Sequence, residues 1–248
     1  MPKTSIKLSV VVPCYNEEKR FQKGFDHYFS YLSKQKYPWE LIFVNDGSKD
    51  NTLKLIRACA KDKSSIQVIS YNKNHGKGYA IVQGIINAKG KYILFTDLDH
   101  SVPINTIEGF FKHFERGYQV AIGSRRIEGA KILIHQHFLR EILGRGFTLL
   151  VRLLIDWKIK DATCGFKTFE KNVAQKIFNK ITIYDWAFDA EILFICKKLN
   201  IRVAQAPVTW SDVRGTKVSL GKDVARSFFG LIKIRWNDLK GKYKRDNF

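Results

Sequence analysis

Acidic residues are scarce in this 248-residue chain: 23 aspartates and glutamates stand against 43 lysines and arginines, a formal net charge of +20. That imbalance directs the surface towards polyanions (nucleic acid, anionic lipid headgroups or phosphorylated substrates), and composition alone does not choose among them. Cysteines are few as well. Cys14, Cys59, Cys164 and Cys196 form no C-x-x-C pair and no zinc spacing, which excludes a zinc ribbon or a redox motif and suits a reducing cytosol. Long apolar runs are missing. The greasiest stretch, Phe147 to Ile155, contains Arg152 and follows Arg145, far short of the ~20 apolar residues of a spanning helix. Before the short apolar run Ile6 to Val12 stands only Met-Pro-Lys-Thr-Ser, which does not read as a signal peptide. The expectation is a chain that touches a membrane without crossing it. No internal repeat or low-complexity linker precedes the tail. What is present is ordinary globular material, 45% apolar, 13% aromatic and 27% charged, which excludes disorder, collagen-like repeats and a disulfide scaffold. A chain of this length buries roughly 70–75% of its unfolded surface, so its core needs no disulfide or structural metal.

The first half alternates short β-branched runs with longer helical patterns. Strands are predicted at Lys7–Pro13, Glu40–Asn45, Ile66–Tyr71, Tyr92–Thr96 and Gln119–Gly123, and helices at Lys19–Lys34, Thr52–Lys61, Gly78–Ala88 and Ile104–Arg116. Runs of about five apolar residues without alternation suit strands buried on both faces. The alternation therefore predicts an α/β fold with a mostly parallel central sheet flanked by helices, whose ligands sit beyond the carboxyl ends of the strands. After Arg126 come a basic amphipathic stretch (His137–Ile155), a loop Asp161–Thr168, helices near Lys171–Asn179 and Phe188–Leu199 and a strand Ile201–Trp210. A last amphipathic helix is predicted over Gly221–Leu239. Residues 200–248 hold eleven Lys and Arg against four Asp, so part of the positive excess lies there. This divides the chain into a domain over 1–220 and an amphipathic helix with a basic tail over 221–248.

Polar groups gather where the strands end. Pro13-Cys14-Tyr15-Asn16-Glu17-Glu18 follows the first, Asn45-Asp46-Gly47-Ser48 the second, Asn74-His75-Gly76-Lys77-Gly78 the third and Asp97-Leu98-Asp99 the fourth. Each alone is explained by a turn or a helix cap. Four on one rim favour a site. Asp97 and Asp99, one residue apart in extended chain, project to the same side. Their like charges are relieved by a hard divalent ion whose remaining ligands are substrate phosphates. A lone Asp-x-Asp equally fits a solvated turn. Lys77 lies between glycines, where backbone N–H groups approach a phosphate and the ammonium neutralises it. A diphosphate with its metal is the natural occupant.

These blocks resemble the family-2 glycosyltransferases of the nucleotide-sugar-binding, Rossmann-like GT-A fold. More narrowly, they are similar to the dolichyl- and polyprenyl-phosphate β-glucosyltransferases and mannosyltransferases. Further carriers are Gly123-Ser124-Arg125, Asp161-Ala162-Thr163-Cys164-Gly165-Phe166-Lys167, Trp186-Ala187-Phe188-Asp189-Ala190-Glu191 and Pro207-Val208-Thr209-Trp210, with Gly215-Thr216-Lys217 beyond. The Cys-Gly-Phe-Lys and Trp-x-Phe-Asp-x-Glu blocks lean towards the glucosyl branch. The resemblance implies that Pro13, Tyr15, Glu17 and Asp46 hold the nucleoside, that Lys77 and Asp97 sit by ribose and diphosphate, and that Asp99 is the main Mg²⁺ or Mn²⁺ ligand beside Asp97. It implies an acceptor phosphate received by Arg125, with Arg140, Arg214 and Lys217 as further cations. Asp161, Asp189 and Glu191 fall in blocks facing sugar or acceptor, so with Asp99 and Arg125 they complete the expected catalytic set. His100-Ser101 departs from the relatives' pattern and leaves a third metal-site position open. Relatives also commonly carry a transmembrane segment, which leaves room here for a separate membrane-embedded partner.

The reading favoured is inverting transfer of a hexose, glucose from UDP-glucose, to a polyprenyl or dolichyl phosphate on the cytoplasmic face of a membrane by a peripherally bound cytoplasmic protein. A phosphomonoester carries about −1.5 to −2 charges at pH 7, so it attacks without a strong general base, and clustered cations serve it better than a neutral hydroxyl. Phe138–Ile155 and the last helix each admit two readings, a core-packing helix with a basic edge or an interfacial helix with arginines on anionic headgroups. His135 and His137 have no carboxylate or cysteine at metal spacing. Three alternatives stand beside this reading: a GDP-mannose-dependent mannosyltransferase, a transferase to a glycan hydroxyl, and a basic nucleic-acid-binding protein. For the last, neither an RNP-like block nor a helix-turn-helix signal is present, so no nucleic-acid partner is expected.

Overall fold

The β-branched runs and amphipathic segments fold into the strand–helix repeats their periodicity predicts. A computed structural model describes residues 5–213 and 220–244. In chain order the first half contains β1 (Leu8–Cys14), α1 (Phe21–Leu32), β2 (Trp39–Asp46), α2 (Thr52–Ala60), β3 (Ile66–Tyr71), α3 (Lys77–Asn87), β4 (Tyr92–Phe95), α4 (Ile107–Glu115) and β5 (Val120–Ser124). The second half contains β6 (Lys131–Ile134), α5 (Phe138–Leu154), β7 (Lys167–Glu170), α6 (Lys171–Phe178), α7 (Phe188–Lys198), β8 (Val203–Pro207), β9 (Thr209–Ser211) and α8 (Leu220–Leu239).

Seven strands form one sheet in the order β3-β2-β1-β4-β7-β5-β8. β1 pairs in parallel with β2 (Val10↔Leu41) and with β4 (Val10↔Leu94), while β7 runs antiparallel between β4 and β5. The sheet is therefore mostly parallel, and strand order reverses direction around β1. A crevice forms at such a reversal beyond the carboxyl ends of the strands, here beyond Cys14 and Phe95. Successive residues of β1 serve opposite faces. Val11 joins Ile81 of α3, Phe95 and Phe188 in one core layer, and Val10 and Val12 join Phe21, Phe43 and Phe110 in the other.

Three expectations change. The region read as a loop to Thr168 ends in β7: a Lys-Thr-Phe-Glu strand carries a single apolar residue, and it is held by its two neighbours rather than by its own composition. The strand expected over Ile201–Trp210 is two strands, with Val208 between them. β8 continues the main sheet, and β9 leaves it to pair with β6 in a separate two-stranded ribbon. α8 begins where the sequence separates a tail, yet its Leu231 and Ile234, and Tyr243 beyond it, are buried in the same core layer as Ile81 and Phe188.

Candidate active site

Four strand ends and the turns after them build a cavity of about 480 Å³, whose wall includes Pro13, Tyr15, Glu17, Asp46, Lys77 and Asp97. All six residues expected around the donor thus share one hollow. The turn after β1 is tied to the turn after β2: Asn16 N–H donates to Ser48 Oγ (3.0 Å) and Glu17 N–H to Thr52 Oγ1 (2.6 Å). Glu17 also receives a two-point contact from Arg20, with Nη2 to Oε1 at 2.9 Å. Asp46, nearly fully buried, accepts from Asn74 Nδ2 (2.7 Å), His75 N–H (2.8 Å) and Gly76 N–H (3.0 Å). Its carboxylate therefore shapes the turn that delivers Lys77 at the start of α3.

Lys77 Nζ lies 2.5 Å from Asp97 Oδ1. Burial works against the Lys77 ammonium, but the carboxylates of Asp97 and Asp189 outweigh it and keep its pKa above the ordinary lysine value. Tyr28, buried beneath β4, donates its hydroxyl to the Asp97 carbonyl and pins the strand end. Asp97 reaches the cavity because residue 165 is glycine: a Cβ there would stand 2.1 Å from Asp97 Oδ2. Asp99 accepts from Ser101 N–H (3.0 Å) and Oγ (2.6 Å) through Oδ1. Burial first, and the Asp97 charge second, push the Asp99 carboxyl above its usual range. Two crowded carboxylates with open cavity before them fit a hard divalent ion. Among the described residues no cluster of three or more His, Cys, Asp or Glu side chains forms a ready-made metal site. His100 does not supply a further ligand: its ring stacks on His27 at 4.8 Å between centroids.

A second cavity of about 880 Å³ opens beside the first and shares Lys77, Asp97, Asp99 and Trp186 with it. Its walls are largely apolar, from Ile142, Phe147 and Leu150 of α5 and Phe228 and Phe229 of α8. Arg125, Arg126 and Asp189 add charge to its lining.

Within this second cavity several expected roles change. Arg125 is committed to the protein: Nε and Nη2 reach the two oxygens of Asp161 at 2.7 and 2.8 Å, Nη2 also reaches Thr163 Oγ1 at 2.8 Å, and Trp210 lies under the guanidinium at 5.3 Å. Asp161 is fully buried and lines neither cavity, so it braces Arg125 instead of facing sugar. Burial pushes its carboxyl up, but the Arg125 guanidinium and hydrogen bonds prevail and hold it well below the usual carboxylate range. The cation left to meet an anion is Arg126, which has no ion pair among the described residues. Glu191 also lies away from both cavities. It accepts from Thr182 N–H, Ile183 N–H and the Tyr243 hydroxyl, a structural role that removes it from the expected catalytic set. Asp189 does line the second cavity, but the buried Lys167 ammonium donates to it and to the Cys164 carbonyl (2.7 Å). Arg140 falls in the first turn of α5, and Arg214 and Lys217 lie outside the described residues.

Arg20, Arg126, Trp186 and Arg226 line the cavities without having been expected. Arg126 directly follows Arg125, and Trp186 opens the Trp-Ala-Phe-Asp block, so both had a local signal. Arg226 had none, because only the fold of α8 brings it to the first cavity.

The model of Glycosyl transferase family 2 matches residues 9–178. Over nearly the whole chain the sequence is similar to proteins described as dolichyl-phosphate beta-glucosyltransferase. Identity is 34% with the Dictyostelium discoideum protein (98% of this chain, 78% of that one) and 35% with the Homo sapiens protein (96% and 78%). Among solved structures, glucosyl-3-phosphoglycerate synthase of Mycobacterium tuberculosis in complex with UDP superposes with a TM-score of 0.67 at 18% identity, covering 92% of this chain and 80% of that one. The same enzyme with Mn²⁺, UDP-glucose and phosphoglyceric acid gives 0.66 at 17%, covering 92% and 79%. At such identity the likeness speaks to the fold, which is GT-A.

Proposed function

The chain belongs to glycosyl transferase family 2, and on that premise we propose that it moves glucose from UDP-glucose to a dolichyl or polyprenyl phosphate, inverting the anomeric centre. The observation that carries this reading is the meeting of two unlike cavities, one rimmed by charged strand-end residues, one larger and mainly apolar, at Lys77, Asp97, Asp99 and Trp186. A nucleotide diphosphate suits the first. A phosphate at the head of a hydrocarbon chain suits the second, since it needs both cations for the phosphate and apolar walls for the chain, and this lining has both. A soluble sugar hydroxyl would leave those walls without purpose.

In this scheme Pro13, Tyr15 and the Asp46-organised turn receive the nucleoside, and Lys77 neutralises the donor diphosphate. A divalent cation held by Asp97 and Asp99, Mg²⁺ or Mn²⁺, would supply Lewis-acid stabilisation of the leaving diphosphate. Arg126, with Arg125 fixed behind it by Asp161, receives the acceptor phosphate and aims one oxygen at C1 from the side opposite UDP. The phosphate is already ionised, so no residue has to remove a proton. This agrees with Asp189 being engaged by Lys167. Positioning and charge therefore supply the rate.

Membrane association follows from the same walls. Phe138 (71% exposed), Leu153 (73%), Phe229 (67%) and Leu239 (81%) expose apolar surface on α5 and α8, the two helices that also line the acceptor cavity. No helix of the described residues is long and apolar enough to cross a membrane. We read this face as seated in the headgroup layer, where each nearby basic residue adds about 1 kcal/mol on an anionic surface.

The test is a thermal-shift panel of UDP-, GDP- and dTDP-sugars with and without Mn²⁺. UDP-glucose with Mn²⁺ should raise the melting temperature most. A larger shift with GDP-mannose would transfer the reading to mannose, and no shift with any sugar nucleotide would refute it.

A further inference from the structure

α8 does more than cover the core, because it reaches the donor cavity. Arg226, exposed at the start of its described side chains, lines the cavity that holds Lys77, Asp97 and Asp99. Phe228 and Phe229, two and three residues on, line the acceptor cavity. The same wall carries Arg20 and Lys77 together with Glu17, Asp46, Asp97, Asp99 and Asp185. A diphosphate brings further negative charge to this wall, and a guanidinium is the group best shaped to bind phosphate oxygens at two points.

The position of α8 is fixed tightly. Residue 230 is glycine, and a Cβ there would stand 2.3 Å from the Ala187 Cβ, so the helix backbone rests directly on the start of α7. Asn237 Nδ2 donates to Thr182 Oγ1 at 2.8 Å, and the Tyr243 hydroxyl donates to Glu191 Oε1 at 2.5 Å. Glu191 in turn accepts from Thr182 N–H (3.0 Å) and Ile183 N–H (2.8 Å). The next residue, Tyr184, accepts from Gly78 N–H at 3.0 Å, beside Lys77. One hydrogen-bonded path therefore joins the end of the chain to the donor wall.

We propose that Arg226 is a diphosphate-binding residue of the donor site and that Tyr243, acting through Glu191 and Thr182, is a positioning residue that sets α8 and the 182–187 segment around it. This rests on the nucleotide-sugar reading above. α8 and the chain after it then belong to the donor site as well as to the membrane face.

The experiment is calorimetric titration of UDP and of UMP, both with Mn²⁺, into the full chain and its Arg226→Ala, Arg226→Lys and Tyr243→Phe variants. UMP lacks the second phosphate, so the UDP-to-UMP affinity ratio isolates the contact. Arg226→Ala should weaken UDP about 10- to 100-fold, the range of one charge-assisted contact, and UMP by much less. Arg226→Lys should restore part of the loss. Tyr243→Phe should lower the ratio about threefold, a fraction of one charge-assisted contact, where a merely structural hydroxyl would lower the melting temperature and leave the ratio intact. An unchanged UDP-to-UMP ratio in Arg226→Ala overturns the assignment of Arg226, and an unchanged ratio in Tyr243→Phe overturns that of Tyr243. If the unaltered protein binds neither UDP nor UMP, the donor reading falls and this inference with it.

Discussion

Replacing Gly165 by alanine adds one methyl group at the point where Asp97 enters the cleft. The added carbon would stand 2.1 Å from Asp97 Oδ2 and 3.0 Å from Asp97 Cγ. Favourable separations begin near about 3.5 Å, so the carboxylate must retreat by roughly 1 Å. The retreat breaks the 2.5 Å contact with Lys77 and moves one of the two carboxylates expected to face the metal. A displacement of that size at a reacting centre costs roughly 100-fold in rate, about 2.7 kcal/mol of barrier. The fold should survive, because Asp97 has room to swing: its side chain is 36% exposed, and Gly165 is not among the residues with positive φ. A melting-temperature loss below about 4 °C, equivalent to 1 kcal/mol for a chain of this size, is expected. The assay is kcat/KM for glucosyl transfer over a Mn²⁺ series, with the melting temperature of the same preparation. A Gly165→Ala enzyme within threefold of the parent at every Mn²⁺ concentration would refute the placement of Asp97 at the reacting centre.

Asp99→Ala should leave the melting temperature nearly unchanged and abolish the Mn²⁺ dependence of UDP binding, read by titration with and without chelator. Arg125 and its neighbour should part company in kinetics. Arg126→Ala raises the acceptor KM about tenfold with donor KM unchanged, whereas Arg125→Ala strands the buried Asp161 carboxylate and destabilises the fold by about 3–5 kcal/mol in urea unfolding. The same pair fixes an acid limb of stability. The folded Asp161 titrates below its unfolded value of about 4, so its contribution is complete above that pH and is lost as pH falls through the depressed folded value. Asp161→Asn should therefore lower stability at pH 7 and flatten its dependence between about pH 4 and 2; an unchanged acid limb would show that other carboxylates dominate it.

The strand-end residues were legible because each lies within a few positions of an apolar run that could be only a buried strand. The rule that ligands gather at carboxyl ends of parallel strands puts their blocks on one rim, the resemblance to family-2 glycosyltransferases singles out Pro13, Tyr15, Glu17, Asp46, Lys77 and Asp97 within them, and the six share one cavity. The acceptor side was less legible because its roles depend on pairing across long separations. Arg125 and Asp161 are 36 residues apart, and Lys167 and Asp189 are 22 apart. Nothing local distinguishes an arginine that meets substrate from one already spent on a buried carboxylate, which is why Arg125 was favoured over Arg126. Glu191 was misread for the same reason. Its partners Thr182 and Tyr243 come from before α7 and from beyond α8, so the Trp-x-Phe-Asp-x-Glu block looked catalytic at both acids. β7 was missed because a buried lysine and a threonine do not look like core until Asp189 and two neighbouring strands are in place.

A donor diphosphate and a lipid-borne phosphate should meet at Lys77, Asp97 and Asp99. Incubating the protein with C1-labelled UDP-glucose, Mn²⁺ and polyprenyl phosphate in mixed micelles and recording the NMR spectrum of the labelled carbon reads that meeting at the reacting atom. A single β-linked glucosyl phosphate signal, lost in Asp99→Ala, is the predicted result. An α-linked product, or glucose appearing on a sugar hydroxyl while the polyprenyl phosphate stays unmodified, would contradict it.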